Sequence, residues 1–156
     1  MSKLLKVLGY AWSAPVTVFG LVYVLLFNMM GWYSYHGVEG DALVWLVKAD
    51  KSPAWLMSLW KRWGGHTVGN VVVLKYTPAE KPIILVHEQK HVDQCMRLGP
   101  FQPILYGLTY LAIWLGCPGS DPYYTNSFEV DARRTAGQIV DIEGMIKKLS
   151  EQSKKA

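Results

Sequence analysis

The residues with the clearest chemical potential are His87, Glu88 and His91, which form the pattern H-E-x-x-H. On a helix, residues four apart lie one turn above each other, so the two imidazole rings share one face. Neutral imidazole nitrogens are preferred zinc ligands, and a rigid helix can supply two corners of a tetrahedral site. Glu88 would lie beside the open position of the metal, where it can accept a proton from water. The pattern therefore predicts a site for one zinc ion with a general base.

The same five-residue pattern also arises by chance, in roughly one sequence of this size and composition in 250. The flanking residues favour the metal site, because apolar residues surround the motif and Gly99-Pro100 is a typical helix stop. Pro82 suits the first turn of a helix, and Thr77 with Glu80 resembles an earlier capping box. The context predicts that the motif lies inside a helix.

The composition indicates one domain with an apolar surface. Of 156 residues, 51% are hydrophobic and only 18% are charged, which is a low charged fraction for a freely soluble domain. The net charge of +4 and the pI near 9.0 suit an anionic membrane surface or an anionic cell-wall polymer. The positive charges are scattered rather than interleaved with aromatic residues, which argues against nucleic acid as a partner.

The first 35 residues form an apolar segment. After Lys3 and Lys6, no formally charged residue occurs from Val7 to Tyr35, a length that can cross roughly 30 Å of hydrocarbon as a helix. A secretory signal has similar features, but no clear cleavage site follows, so a retained membrane anchor is favoured. A buried core helix or a pair of β-branched strands is the alternative. Lysines on both sides of the segment leave its orientation unspecified.

Residues 36–63 contain a polar loop and two apolar segments. The first segment covers residues 42–47. The second, residues 53–63, carries three tryptophans with basic residues between them, which fits a short amphipathic helix at an interface or one packed in the structure. Asp50 or Ser52 is expected to cap this helix, with Pro53 at its first position.

Two further elements flank the motif helix. Residues 66–76 predict a strand with a bulge or a close backbone approach at Gly69. In zinc peptidases, an edge strand beside the metal can hold an extended peptide by main-chain hydrogen bonds. After the motif, residues 104–116 are uncharged but too few to cross a bilayer upright. They predict a helix that is buried or dips into a membrane.

The last predicted helix begins near Asn126 and continues to residue 149. Glu129 on this helix has two interpretations. With Asn126 it resembles a capping box, which needs no metal. Alternatively, Glu129 is the third zinc ligand, and Ala132 and Ala136 favour this role because small side chains let the helix approach the motif helix closely.

Other side chains are candidates for supporting roles. Amide hydrolysis needs a donor for the oxyanion, and Tyr123, Tyr124 and His66 are candidates. Packing is the alternative for the tyrosines, and a solvated turn is the alternative for the histidine. Gln94 and Asn126 are candidates for orienting the metal ligands through hydrogen bonds.

The two cysteines, Cys95 and Cys117, do not form a C-x-x-C pattern. Cys95 follows His91 by four residues and therefore shares the face of the two histidines. It is either an extra ligand or, as is commoner, a buried thiol that packs beneath the site. A disulfide between the two cysteines is left open.

An H-E-x-x-H pattern followed by E-x-x-A on a later helix resembles the gluzincin group of zinc metallopeptidases. The resemblance implies that His87, His91 and Glu129 bind zinc and that Glu88 is the general base. The whole chain also resembles a widespread family of small bacterial membrane-associated proteins. It shares with them the Gly-Tyr-Ala-Trp stretch near the start, the Val-Gly-Asn strand, the H-E-x-x-H-x-x-Q core and the Asp-Pro-Tyr segment before Phe-Glu. That family commonly has proline where this chain has Ser127, a difference at the start of the helix and not among the ligands.

These features predict a fold that is mainly α with a small β element (α+β). Its expected core is a minimal zincin-like set of strand, motif helix and Glu-bearing C-terminal helix, preceded by an apolar N-terminal helix. The expected divisions are a membrane anchor at residues 1–35, a metal-binding domain at 36–150 and a polar tail at 151–156.

The predicted function is a zinc-dependent metallohydrolase, most readily a peptidase that acts on a peptide or protein. Two alternatives are a non-catalytic zinc-stabilised structural or interaction protein of an envelope or virion assembly, and a peptidoglycan amidase or endopeptidase. The expected partners are the peptide substrate or a cell-wall peptide, a lipid bilayer bound by the N-terminal segment, and other subunits of an oligomer or larger assembly. The expected location is the bacterial cell envelope, in association with a membrane, with the virion as the alternative.

Overall fold

The computed structural model describes residues 3–61, 63–117 and 121–140. Within these ranges the helices and strands follow the order α1 (Lys3–Met29), β1 (Tyr33–Glu39), β2 (Ala42–Val47), α2 (Ala54–Leu59), β3 (Gly65–Val68), β4 (Val71–Leu74), α3 (Pro82–Leu98), α4 (Phe101–Gly116), α5 (Pro122–Thr125) and α6 (Ser127–Thr135). The end of the last predicted helix and the polar tail lie outside the described residues.

The structure is mostly helical with one small four-stranded sheet, which confirms the predicted α+β class and the apolar N-terminal helix. The strand order is β1-β2-β4-β3, in which β2 and β4 pair in parallel and the two outer pairs are antiparallel. The central strand β4 is buried throughout its length. The edge strand β3 lies next to α3 and therefore beside the H-E-x-x-H motif.

The sheet consists of two hairpins, whereas the sequence predicted a polar loop and a single strand. Strand β1 occupies the end of the predicted apolar segment and the predicted loop, and it pairs with β2 around Gly40. Gly69 lies in the turn between β3 and β4, at a φ of +65°, and not within a strand. The prediction of a bulge at Gly69 is therefore wrong. The expected close approach is present, because a methyl group on Gly69 would lie 2.4 Å from the backbone nitrogen of Thr17 in α1.

Helix α1 packs against the sheet through small and polar residues on one face. Its fully buried residues are Gly9, Ser13, Gly20 and Val24. The buried side chain of Asn70 accepts a hydrogen bond from Ser13 Oγ (2.7 Å). The backbone nitrogen of Asn70 donates to Thr17 Oγ1, one turn further along α1 (3.0 Å). The segment predicted as an anchor therefore buries one face against the sheet.

Helix α1 is also long and apolar enough to cross a membrane, by length and composition alone. Of an 18-residue apolar stretch within this helix, only 17% of the residues are buried within the protein. The opposite face of the helix is exposed and apolar.

Helix α3 begins at Pro82 and ends before Gly99, as predicted. Gly99 adopts a φ of +56°, a conformation that favours glycine after a helix. On its inner face, α3 packs Leu85, Val92 and Met96 against the sheet. These contacts fix the face of α3 that carries the two histidines. Thr77 and Glu80 do form reciprocal hydrogen bonds, but in the turn that precedes the helix.

Three details of the other helices differ from the prediction. Helix α2 has Pro53 as its N-cap and no side-chain cap, because Ser52 Oγ donates to a backbone oxygen instead. All residues of helix α4 are described and none of them is buried. The prediction of a buried helix is therefore wrong. Helix α6 ends at Thr135, and Gly137 turns the chain at a φ of +68°. Ile139, expected on the inner face of that helix, is 93% exposed.

We predict that Gly69→Ala lowers the free energy of unfolding by about 1–3 kcal/mol, because alanine disfavours the left-handed φ and its methyl group would collide with α1. Gly107→Ala in α4 is the matched control. A methyl group there has no neighbour within 4 Å, and alanine in a helix should stabilise by about 0.5–1 kcal/mol. Denaturant unfolding of both variants in mild detergent tests this pair. If Gly69→Ala is as stable as the wild type, α1 does not pack on the β3–β4 turn.

Candidate metal centre

Helices α3 and α6 bring His87, His91 and Glu129 together. The Nε2 atoms of the two histidines are 3.2 Å apart. Glu129, in the first turn of α6, places one carboxylate oxygen 3.3 Å from His87 Nε2 and the other 3.3 Å from His91 Nε2. All three side chains are buried, and their ligand atoms lie within 4.8 Å of one another. The three predicted ligands therefore form one group that could hold a metal ion.

The packing of α6 on α3 explains how Glu129 reaches the histidines. Ala132, one turn after Glu129, is completely buried, as expected for a small residue at a close helix contact. Asn126 caps α6, because its Oδ1 accepts a hydrogen bond from the backbone nitrogen of Phe128 (3.0 Å). Only half of the predicted capping box forms, since Glu129 faces the histidines and not the backbone of Asn126.

Gln94 determines the orientation of His91. Its Oε1 lies 2.9 Å from His91 Nδ1. Its Nε2 donates to the backbone oxygen of Phe128 (3.1 Å) and to Asp131 (3.0 Å), so the amide oxygen must face the histidine. An oxygen at that position accepts a hydrogen bond from the Nδ1–H group, which leaves the lone pair of Nε2 directed at the centre.

Gln138 has the same role for His87 and was not predicted. Its Oε1 lies 3.1 Å from His87 Nδ1. Gln138 reaches the site because α6 ends early and Gly137 reverses the chain, so that the backbone nitrogen of Gln138 donates to Arg133. The predicted longer helix would have directed this side chain elsewhere.

Three groups rich in electron pairs therefore converge on one buried point. With both Nδ1 atoms facing amide oxygens, the neutral rings direct their Nε2 lone pairs at each other and at the carboxylate. A proton on an Nε2 atom or a cation is then needed to join them, because the Tyr106 hydroxyl, a neighbouring donor, bonds only to the carboxylate. Glu129 Oε2 is buried and has no hydrogen-bond partner among the described residues, although Arg133 Nη2 lies 3.9 Å away as an ion-pair partner. Such an arrangement is unfavourable unless a proton or a cation occupies the centre. The residues fit a metal ion.

The pKa directions agree with a site that attracts positive charge. Burial alone would raise the pKa of Glu129, but hydrogen bonding to His87 and His91 outweighs burial and lowers it to about 2. Burial alone would lower the pKa of His91, but hydrogen bonding to Glu129 and the charges of Glu88 and Glu129 raise it. Glu129 is therefore a carboxylate at neutral pH.

Glu88 lies beside this group and is not part of it. Its carboxylate is buried and accepts a hydrogen bond from Thr67 Oγ1 on strand β3 (2.8 Å). Burial raises the pKa of Glu88. A methyl group on Gly65 would lie 2.9 Å from Glu88 Oε1, so a glycine at that position leaves room for the carboxylate between helix and strand.

Tyr106 on helix α4 also contacts the group and was not predicted. Its hydroxyl donates a hydrogen bond to Glu129 Oε1 (2.9 Å). Asn126 Nδ2 donates to the backbone oxygen of Tyr106 (3.2 Å), which ties α4 to the start of α6. Asn126 thus supports the site through backbone contacts and does not touch the histidines.

A cavity of about 820 Å³ opens beside the group, and His87, Glu88, His91 and Glu129 all line it. Its other walls are the edge strand β3, one face of α4 and the aromatic residues of α5. Tyr123 and Tyr124 both line the cavity, and the guanidinium of Arg133 lies 4.8 and 4.2 Å from the centres of their rings. Burial raises the pKa of Tyr123 to about 12, so its hydroxyl keeps its proton at neutral pH.

His66 lies on strand β3 and lines the cavity. The prediction that it lies in a solvated turn is therefore wrong. Its ring packs against Tyr23 and Trp60, with centroid distances of 5.6 and 5.1 Å. Burial lowers the pKa of His66 to about 4, so it is neutral at neutral pH. Its Nδ1 is enclosed and has no hydrogen-bond partner among the described residues.

Cys95 is a buried thiol and lies outside the metal-binding group. Its Sγ lies 3.8 Å from the backbone oxygen of Gly99, and burial raises the pKa of Cys95 to about 11. The thiol therefore does not provide an extra ligand. No disulfide joins Cys95 and Cys117.

No family model, curated protein or solved structure matches the chain.

We predict that the purified protein binds about one equivalent of divalent metal and that Glu129→Gln loses most of it, because the amide removes a charged ligand while keeping the side-chain shape. Cys95→Ala is the control and should retain full metal content, since its thiol lies outside the group. Elemental analysis by mass spectrometry measures both. A Glu129→Gln protein with wild-type metal affinity would rule out the third ligand.

We also predict that Gln138→Leu weakens metal affinity by roughly 10–100-fold, because His87 then loses the acceptor that orients its ring. Gln138→Glu keeps an oxygen at the same position and should retain affinity near that of the wild type. Competition with a coloured chelator provides the measurement. Equal affinity of the leucine variant and the wild type would show that Gln138 does not orient His87.

Proposed function

We propose that the chain is a membrane-associated, zinc-dependent metallohydrolase that cleaves amide bonds in a peptide or protein. The observation that carries this proposal is the cavity beside the His87, His91 and Glu129 group. A structural zinc site is closed by four protein ligands, whereas a catalytic site has three and leaves one position for water or substrate. Here three ligands and a spare carboxylate line the same open space.

The donor set supports zinc as the ion. Two imidazoles and one carboxylate are a ligand combination found in catalytic zinc sites. Both histidines have their second ring nitrogen bound to an amide oxygen, which is the outer support that metal-binding histidines require. The H-E-x-x-H pattern with a later glutamate also resembles the gluzincin peptidases.

The residues around the site suit general acid–base catalysis. When bound, a zinc ion supplies Lewis acidity, which polarises a carbonyl group and makes water easier to deprotonate. Glu88 accepts the proton as the water oxygen bonds to the carbonyl carbon. It then gives the proton to the amide nitrogen as the carbon–nitrogen bond breaks. The products are a carboxylic acid and an amine, and Glu88 returns to its starting state.

Two neighbouring groups support this role of Glu88. Thr67 holds one oxygen of the carboxylate, which leaves the other free to face the cavity. The hydroxyls of Tyr123 and Tyr124 are available as donors to a carbonyl oxygen in the cavity, because both side chains line it. His66 is a weaker candidate for a charged donor, since its low pKa keeps it neutral.

Strand β3 supports a peptide as the substrate. Residues 65–68 form the outer strand of the sheet and line the cavity. An edge strand has unpaired backbone groups that can bind an extended peptide as an additional strand. A peptide bound in this way would pass beside Glu88 and the metal ligands.

The proposed location is a membrane of the bacterial cell envelope. Helix α1 is long and apolar enough to enter a bilayer. Its outward face, most of helix α4, and Trp55 and Trp63 around α2 are exposed and apolar. Apolar surfaces of this extent on one chain are typical of proteins that contact lipid or other subunits.

We predict that Glu88→Gln reduces kcat by roughly 10²–10⁴-fold while zinc remains bound, because the amide cannot accept the proton. Asp93→Asn is the matched control on the same helix. Its carboxylate forms ion pairs with Lys90 and Arg97 on the surface, so activity should be unchanged. Labelling of new protein N-termini in envelope preparations treated with each variant detects cleavage of any protein substrate in the mixture.

The same comparison separates the proposal from a structural zinc site. If wild type and Glu88→Gln produce the same set of N-termini at equal zinc content, the site is not catalytic. New ends confined to peptidoglycan crosslinks, with no cleaved proteins, would identify a cell-wall amidase or endopeptidase.

A further inference from the structure

The outward face of α1 is continuous and apolar, and the opposite face is attached to the rest of the protein. The exposed apolar side chains of this face are Leu4, Leu5, Val7, Leu8, Val18, Phe19, Val22, Leu25, Leu26 and Met29. At 100° per residue these positions cluster on the side away from Gly9, Ser13, Gly20 and Val24, which are buried. The helix is therefore divided along its length into an attached face and an exposed apolar face.

Helix α4 has a similar division. Tyr106 and Tyr110 face the cavity. The exposed side chains of Ile104, Leu108, Leu111 and Leu115 form a stripe with helical spacing away from it. The two apolar faces meet where the ring of Trp12 lies 6.0 Å from that of Phe101.

The protein holds α1 from one end to the other. Near its start, Lys6 Nζ forms an ion pair with Asp41 (2.9 Å). In the middle, a methyl group on Gly20 would lie 2.5 Å from the backbone oxygen of Val68. Near its end, the ring of Phe27 lies 5.1 Å from that of Tyr33. The sheet and α3 therefore lie at the same depth as α1 in any membrane that α1 enters.

That constraint conflicts with an upright transmembrane helix. Helix α3 packs directly on α1, because a methyl group on Gly9 would lie 3.1 Å from Met96. The other side of α3 carries Lys90, Asp93 and Arg97, which form surface ion pairs. If α1 crossed the bilayer upright, these charges would lie beside hydrocarbon, which strongly disfavours charged groups.

We propose that α1 does not cross the membrane and that the outward faces of α1 and α4 dock side-on into one leaflet of an anionic bilayer. The positive charge supports this partner. The net charge is +4, and exposed Lys3, Lys51 and Lys61 are available to bind anionic headgroups. This inference rests on the proposed membrane association and is independent of catalysis.

Side-on docking has a consequence for the candidate site. Helix α4 separates the cavity from the apolar stripe, since one of its faces lines the cavity and the other is exposed. With that stripe in the leaflet, the cavity lies at the membrane surface. A substrate would then be a polypeptide segment that lies at or emerges from the same leaflet.

Cysteine accessibility in expressing bacterial cells tests the topology. In a Cys95→Ala, Cys117→Ser background, Lys3→Cys and Asn28→Cys place one thiol near each end of α1. Both positions are exposed. For protein in the membrane fraction, we expect a membrane-impermeant maleimide to label both positions to the same extent before cell lysis, or neither. If one position is labelled only after lysis while the other is labelled before it, α1 spans the membrane and the proposal fails.

Vesicle binding of the purified protein tests the contribution of α4. With phosphatidylglycerol and phosphatidylethanolamine vesicles, Leu108→Glu should lower the partition coefficient by roughly tenfold or more, because a charge replaces an apolar group in the leaflet. Arg97→Gln on α3 changes the net charge by the same amount and should remain within about twofold of the wild type. Equal partitioning of Leu108→Glu and wild type would overturn the role of α4.

The two experiments also distinguish this inference from the proposed function. A soluble oligomer that binds no vesicles would show that a second copy covers the apolar faces and would overturn membrane association. If no cleavage that depends on Glu88 is found, the proposed catalysis is overturned and the docking result is unaffected.

Discussion

The structure depends on the convergence of two imidazole lone pairs and one buried carboxylate. Gln138 and Gln94 each bind the second ring nitrogen of one histidine, which favours the orientation in which His87 and His91 face each other. Glu129 cannot turn to solvent, because Ala132 is packed in the helix contact and Tyr106 holds one of its oxygens. A cation at the centre would relieve the repulsion between these groups, which the surrounding hydrogen bonds keep close together.

The other elements can be understood as supports for that centre. The sheet packs against α3 and fixes the direction of its histidine face. Strand β3 holds Glu88 through Thr67, and α4 holds Glu129 through Tyr106. Because these contacts come from separate elements, the three side chains are oriented without a metal, which would lower the ordering cost of binding one.

The same packing would govern how the protein docks on a membrane, as we propose. A helix as apolar as α1 would be free to cross a bilayer if it were joined to its domain only by a linker. Here the sheet and α3 contact it at its start, middle and end. In the proposed docking, the depth of α1 in the membrane would therefore be set by the charges on the attached domain as well as by its own hydrophobicity.

The sequence by itself determined the features that depend on local spacing. The four-residue separation of His87 and His91 sets them on one helical face, and Pro82 and Gly99 mark the ends of that helix. Glu129 was found as a candidate because small residues follow it at helical intervals. The hairpins, the early end of α6 and the contacts of Gln138 and Tyr106 were decided by tertiary structure. Each joins residues far apart in the chain, and local spacing does not specify which distant segments meet.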